Sequence, residues 1–196
     1  MTNSKQTFTI GGGKYRGKRL ALPDTPGTRP TKSIIRGSVF DTLQFEIVDA
    51  IFVELFGGSG SMGLEALSRG AAKACFFEKD RSVAALLKRN CEALDAAATE
   101  VIVGDSFAHY PPFVRRLAEE GKRAFLYFDP PFEIREGMAG IYDRVIGMIA
   151  QTPPEAVEKI IVEHMSSVQM PESIGPFTRQ KSKKFGKTSI TYYTLA

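Results

Sequence analysis

The spacing of apolar positions changes regularly along the chain, and those changes mark out its elements. Residues 50–56 (Ala-Ile-Phe-Val-Glu-Leu-Phe) form an almost continuous apolar run, the pattern of a strand covered on both faces. Shorter runs of the same kind lie at 74–78, 100–103, 124–128 and 160–163. Between them the period lengthens to that of a helix. A short helix over 62–68 stops at Gly70. Behind Asp80, a residue suited to cap a helix, Val83, Leu86, Leu87, Cys91 and Leu94 form one stripe. Helices are also predicted over 112–120, ending at Gly121, and over 138–150. The tail, 177–184 and then 188–195 around Gly186, is rich in Thr, Ile and Tyr and predicts an antiparallel hairpin. Strands alternating with helices predict an α/β fold, a doubly wound and mostly parallel sheet. With the hairpin it counts seven strands, and ligands bind at the carboxyl ends of the parallel ones.

The first 45 residues break this rhythm. Two short strands within 7–22 flank the turn-rich stretch GGGKYRGK, and Pro23, Pro26 and Gly27 interrupt the chain. A helix follows from Pro30 to about Gln44 on Ile34, Ile35, Val39, Phe40 and Leu43, with Gly37 weakening it. The division predicted is a small hairpin-and-helix extension over 1–45 and a ligand-binding domain over 46–196.

Charge sharpens that division. Residues 1–36 hold eight basic groups (Lys5, Lys14, Arg16, Lys18, Arg19, Arg29, Lys32, Arg36) against Asp24 alone, so the segment carries +7 within a chain of net +4. Concentrating one sign on one segment favours a polyanion partner. A second acid-free cluster lies at Arg179, Lys181, Lys183, Lys184 and Lys187. No apolar run approaches the ~18 residues of a membrane span, and the first residues lack a signal-peptide core, which together point to a cytoplasmic protein. Cys75 and Cys91 both fall in apolar patterns, read as small buried hydrophobes; with only two cysteines and no CxxC pair, a zinc knuckle is excluded and no metal is expected.

Four strand ends carry an acid: Glu54–Gly60, Glu78–Asp80, Gly104–Phe107 and Asp129–Phe132. In the first, Gly57, Gly58 and Gly60 let backbone approach a ligand, and the next helix offers its free N–H groups there. Gly58-Ser-Gly60-Ser-Met-Gly63 also matches the dinucleotide pattern G-x-G-x-x-G, with Glu78 about 20 residues on. A nicotinamide or flavin oxidoreductase is therefore a rival reading. Glu54 argues against it, because a carboxylate beside the loop repels pyrophosphate and suits a cationic cofactor with an α-ammonium group. Glu78 can take ribose hydroxyls, and Asp105 an adenine amine with Phe107 packing on the ring.

The last strand end reads Phe-Asp129-Pro130-Pro131-Phe132. An exocyclic amine of a base is a poor nucleophile because its lone pair is delocalised into the ring. Two acceptors, the Asp129 carboxylate and the Pro130 carbonyl, can turn that lone pair out of conjugation. Pro131 stiffens the turn, and Phe132 offers a face for a flipped base.

With these motifs assembled, the chain resembles class I methyltransferases, and within them bacterial small-subunit ribosomal RNA (guanine-N2)-methyltransferases of the RsmD type. The resemblance spans nearly the whole chain: GGGKYRGKRL, Arg29-Pro30-Thr31 with Arg36, LFGGSGSMGLEALSRGA, FFEKD, GDSF, FDPPF and GKTSITYYT. It implies a Rossmann-like sheet and a pocket for S-adenosylmethionine, left as S-adenosylhomocysteine, lined by Glu54, Phe56, Gly58, Gly60, Glu78, Asp105 and Ser106. Gly57, Lys79 and Phe107 sit beside them and are counted with that pocket. It also implies that Asp129, Pro130, Pro131 and Phe132 hold a guanine of 16S ribosomal RNA, free or in an assembling small subunit. Lys14, Arg16, Lys18, Arg19, Arg29, Lys32 and Arg36 are expected to grip phosphates. Glu54 stands where Asp is usual, and Gly37 where a glutamate usually follows the arginine. Direct in-line transfer without a covalent enzyme intermediate is the expected chemistry, and an adenine-N6 or protein-amine methyltransferase is the alternative that DPPF alone leaves open.

Near-misses elsewhere fail on chemistry. Gly12-x-x-x-x-Gly17-Lys18 has Arg19 where a P-loop needs a hydroxyl for magnesium. Ser59-x-Ser61-x-Gly63 lacks the first glycine of a hydrolase elbow, and His109 and His164 are in no triad order.

Overall fold

A computed structural model describes residues 6–23, 30–132 and 137–196. The chain divides into two compact units, Met1–Gly104 and Asp105–Ala196.

The first unit opens with the hairpin β1 (Thr7–Thr9) and β2 (Arg19–Ala21), paired antiparallel with Phe8 opposite Leu20. Helix α1 (Pro30–Leu43) runs unbroken through Gly37, where an added Cβ would meet nothing within 4 Å. Then come β3 (Ile51–Leu55), α2 (Ser61–Ser68), β4 (Lys73–Glu78), α3 (Arg81–Leu94) and β5 (Thr99–Val103). Their strands lie parallel in the order β5-β4-β3, with Val53 beside Cys75 and Cys75 beside Glu100. The apolar runs behave as the pattern requires: Phe52, Val53, Leu55, Phe76 and Phe77 are fully buried. Helix α3 starts where Asp80 accepts hydrogen bonds from the N–H groups of Ser82 (2.8 Å) and Val83 (3.0 Å). Seven of the eight residues of α2 are buried, which is why a helix so short holds its place.

The second unit contains α4 (Ser106–Glu119), β6 (Ala124–Phe128), α5 (Ile141–Ala150), a single 3₁₀ turn at Pro154–Ala156, β7 (Val157–Met165), β8 (Ser173–Ile174), β9 (Phe177–Phe185) and β10 (Thr188–Leu195). Its strand order is β6-β7-β10-β9-β8; β6 and β7 are parallel and the rest antiparallel. The units thus supply eight strands besides the N-terminal hairpin, one more than the sequence predicts, because the two-residue β8 is too short to carry a pattern.

Boundaries also differ: β7 starts three residues before and ends two after the predicted 160–163, and two helices start elsewhere than predicted. Helix α4 begins at Ser106, six residues before the predicted start, because Asp105 caps it and Pro111 and Pro112 lie inside it. Prolines usually mark a helix start; here they occupy the second turn, where each withholds an N–H from the carbonyl four residues back. Helix α5 begins at Ile141 rather than at Met138, behind Gly140, whose φ is 70°. Among the described residues no helix is long and apolar enough to cross a membrane.

Candidate active site

In the first unit the expected ligand residues gather around the β3–α2 loop. Phe56 (φ 63°), Gly58 (φ 53°) and Gly60 (φ 77°) adopt left-handed backbone in close succession. Glycine accepts this readily; Phe56 does not, and strained backbone of this kind collects at ligand sites. Internal bonds hold the bend, from Gly57 N–H to the Phe77 carbonyl (2.7 Å) and from Gly60 N–H to the Gly57 carbonyl (2.8 Å).

The two carboxylates singled out by sequence fasten this loop. Glu54, 4% exposed, accepts a hydrogen bond from Gly63 N–H at 2.7 Å, reaching past a helix start that has no side-chain cap. Glu78 accepts from Gly58 N–H with one oxygen (2.8 Å) and from Asp80 N–H with the other (2.7 Å). A carboxylate oxygen can accept more than one hydrogen bond, so these two roles do not by themselves close either residue to a ligand. The glycines differ in purpose. A Cβ on Gly60 would lie 2.4 Å from Leu87, and one on Gly63 2.4 Å from Phe76, so both are required by packing rather than by ligand approach. A Cβ on Gly58 would meet nothing within 4 Å, and that open side is where a ligand can approach the backbone.

In the second unit, Asp105 caps α4 by accepting from Phe107 N–H at 2.9 Å, Ser106 is buried, and the Arg144 guanidinium stacks 3.8 Å from the centre of the Phe107 ring. Asp129 follows β6 directly and is half-buried; Pro130 is buried, Pro131 and Phe132 half-buried. Phe128, just before Asp129, meets Tyr110 of α4 edge-on at 5.7 Å. That contact brings the capped start of α4 and the Asp-Pro-Pro-Phe turn to the same end of the unit. Beneath it, the Tyr127 hydroxyl donates to the buried Glu163 carboxylate at 2.5 Å.

The basic residues of the extension are dispersed. Lys14, Arg16, Arg19 and Lys32 are exposed. Lys14 lies 4.8 Å from the Tyr15 ring, Arg19 donates to the Thr7 hydroxyl, and Lys18 donates to the Ala93 carbonyl. Arg36 departs from its expected place: it is 6% exposed, its guanidinium donating to Glu65 (3.2 Å) and to the Thr9 carbonyl (2.7 Å). It braces the arm against α2 instead of standing ready for phosphate. Arg29 lies outside the described residues. The turn-rich stretch GGGKYRGK rests its glycines on the end of α2: Gly11 N–H donates to Glu65 (2.8 Å), Lys14 N–H to the Ser68 carbonyl (2.6 Å), and the Ser68 hydroxyl to the Gly12 carbonyl (2.5 Å).

Sequence reasoning missed Glu65, Ser68, Asn90 and Glu163, polar groups buried inside otherwise apolar patterns. Glu65 and Asn90 carried a signal, since each falls on the buried face of its helix. His164 is structural, held between the Met165 carbonyl (2.9 Å) and the Thr191 hydroxyl (2.8 Å). Burial pushes the Cys91 thiol up to about 11, in keeping with a small buried hydrophobe. Among the described residues no group of three His, Cys, Asp or Glu could hold a metal ion.

Comparison with known proteins gives the family and the fold. A family model described as conserved hypothetical protein 95 matches residues 8–194. Ribosomal RNA small subunit methyltransferase D of Escherichia coli is 33% identical over 184 residues, 93% of this chain and 87% of its own length. A solved methyltransferase structure from Escherichia coli superposes with a TM-score of 0.77 at 30% identity, covering 97% of this chain and 98% of that one. An RNA methyltransferase from Salinibacter ruber, solved with S-adenosyl-L-homocysteine, shares the fold at 12% identity, with a TM-score of 0.56 over 87% of this chain and 94% of its own.

Proposed function

Because the chain belongs to the conserved hypothetical protein 95 family of RsmD-type methyltransferases, we propose that it methylates the exocyclic N2 amine of a guanine in 16S ribosomal RNA, using S-adenosylmethionine. The observation that carries this reading is the β3–α2 loop: an open Gly58 backbone flanked by the Glu54 and Glu78 carboxylates. Anionic side chains on both sides of a glycine turn favour a cationic cofactor and oppose a pyrophosphate.

The chemistry of the residues fits that cofactor. In the first unit Glu54 and the N–H groups at the start of α2 suit an amino-acid zwitterion and Glu78 a ribose diol; in the second, Asp105 with Phe107 suits an adenine ring. Phe56, Gly57, Lys79 and Ser106 are assigned to the cofactor by the resemblance. When bound, S-adenosylmethionine supplies an electrophilic methyl group on a positively charged sulfur. The protein's part is to prepare the amine. Asp129 and the Pro130 carbonyl each accept one N–H, which aims the nitrogen lone pair, while Pro131 and Phe132 fix the plane of the base. The proton lost from nitrogen passes to Asp129 or to water. Residues 1–45 serve as the RNA-gripping arm, through Lys14, Arg16, Arg19 and Lys32 with Arg29, Lys18 being engaged by the Ala93 carbonyl. The substrate is free 16S RNA or the assembling small subunit, in the cytoplasm.

The test is tritiated methyl transfer to undermethylated 16S RNA followed by nucleoside digestion, expected to give N2-methylguanosine; N6-methyladenosine would show that the base is wrongly assigned. Asp129→Ala should lower kcat by at least ~100-fold with RNA affinity retained, and wild-type turnover in that variant overturns the role given to Asp129. S-adenosylhomocysteine should raise Tm and NAD should not, since only a ligand bound by the native state stabilises it.

A further inference from the structure

The N-terminal arm and the glycine loop share one buried side chain. Asn90 lies on the packed face of α3, 4% exposed. Its carboxamide oxygen accepts from Ala21 N–H at 3.0 Å, and its NH₂ donates to the Ala21 carbonyl at 2.9 Å, so it pairs with β2 as a neighbouring strand would. The same NH₂ donates to the Ser59 carbonyl at 2.9 Å. Ser59 is the residue between Gly58, whose backbone lies open, and Gly60, which caps α2.

Three of the four hydrogen bonds a carboxamide can make are thus committed, in a buried place where an unmet carbonyl is costly. An apolar residue at this position of α3 would fill the space but hold neither backbone, and an aspartate would set oxygen against two carbonyls. A second joint lies nearby. Glu65 and Ser68 of α2 hold Gly11, Gly12, Lys14 and Tyr15, and a Cβ on Gly13 would come within 1.7 Å of the Ser68 carbonyl. The arm is therefore seated on the two helices that flank the loop.

We propose that Asn90 is a positioning residue for the methyl transfer, holding the Ser59–Gly60 backbone for the cofactor and strand β2 for the RNA in one register. The proposal rests on the methyltransferase reading and deepens it. Asn90 touches neither ligand and acts through Ser59 and Ala21.

Its test uses the full chain, with S-adenosylhomocysteine affinity by calorimetry and KM and kcat on undermethylated 16S RNA, at a temperature where melting curves show every variant folded. Asn90→Ala and Asn90→Asp should weaken S-adenosylhomocysteine binding and raise the RNA KM, each by about tenfold, the scale of one lost buried hydrogen bond. Ala21→Pro deletes the N–H that meets Asn90 and leaves the bond to Ser59. It should raise the RNA KM by a similar factor while the S-adenosylhomocysteine affinity stays within about twofold. Unchanged S-adenosylhomocysteine affinity in the Asn90 variants, or an unchanged RNA KM in Ala21→Pro, overturns the proposal. If Asn90→Ala and Asn90→Asp fail to fold, Asn90→Gln, which keeps the carboxamide but displaces it by one methylene, takes their place for the S-adenosylhomocysteine measurement, and Ala21→Pro decides for the RNA. A wild-type protein that binds S-adenosylhomocysteine but methylates no RNA would instead overturn the assignment of substrate.

Discussion

Arg36 shows how a charged residue is assigned by its partners and not by its neighbours in sequence. It stands in a segment of like charge, and composition places it among the phosphate-binding cations. Its guanidinium is enclosed instead with Glu65, which also accepts from Gly11 N–H (2.8 Å) and from Arg69 (2.8 Å). Only Glu65, at a buried position of the run GLEALSRGA, hints at the pair in the sequence, since a buried carboxylate demands a cation. Replacing Arg36 by Ala leaves Glu65 with Arg69 as its remaining cation. The expected loss is about 3 kcal/mol, the low end for breaking a buried pair, read from urea unfolding. A change below about 0.5 kcal/mol, the scale of an exposed cation, would show that the pair carries no load. The Asp-Pro-Pro-Phe turn could be proposed from sequence for the opposite reason, because the acceptors that Asp129 and Pro130 offer are given by residue type and adjacency alone.

Elements were legible wherever one periodicity ran long enough to be unmistakable. The buried runs at β3, β4 and β6 and the Asp80 cap of α3 came through directly. Where a local rule met a tertiary constraint, the constraint won: α4 keeps Pro111 and Pro112 inside because its buried residues Tyr110, Phe113, Val114 and Leu117 seat it as one helix. The β7–β10 pairing has its own consequence. His164 lies opposite Ser189. The Met165 carbonyl fixes its Nδ1 as donor, leaving Nε2 to accept from Thr191, whose oxygen also lies 3.0 Å from the Ser182 hydroxyl. Burial holds the imidazole below its ordinary value, with the bond to Met165 opposing in part. The unfolded chain therefore binds a proton that the folded one refuses. Stability should be complete above about pH 6.5 and fall as pH drops below it, by up to about 1.4 kcal/mol per unit, until the folded histidine itself titrates. In His164→Gln that part of the slope should vanish; an unaltered profile would mean the histidine is not its source.

At the scale of the whole molecule, charge is what the sequence states most openly and resolves least. It places +7 on residues 1–36, but only side-chain positions tell which cations can reach a polyanion. Lys14, Arg16, Arg19 and Lys32 are exposed, while Lys18 is drawn to the Ala93 carbonyl and Arg36 is buried. The arm's grip should therefore rest on roughly four phosphate contacts among the described residues, each adding about 0.7–0.9 to the slope of log affinity against log salt, for a total near 3 to 4. Lys14→Ala and Arg16→Ala should each lower the slope by about one contact's worth, measured as 16S RNA binding across a salt series. An Arg36 variant that stays folded should leave it unchanged. The acid-free strand β9, with Lys181, Lys183 and Lys184, supplies the contrast. If arm substitutions leave the slope intact while lysine-to-alanine changes on β9 reduce it, the RNA is held by the second unit, and the arm's seating on α2 and α3 serves the cofactor loop alone.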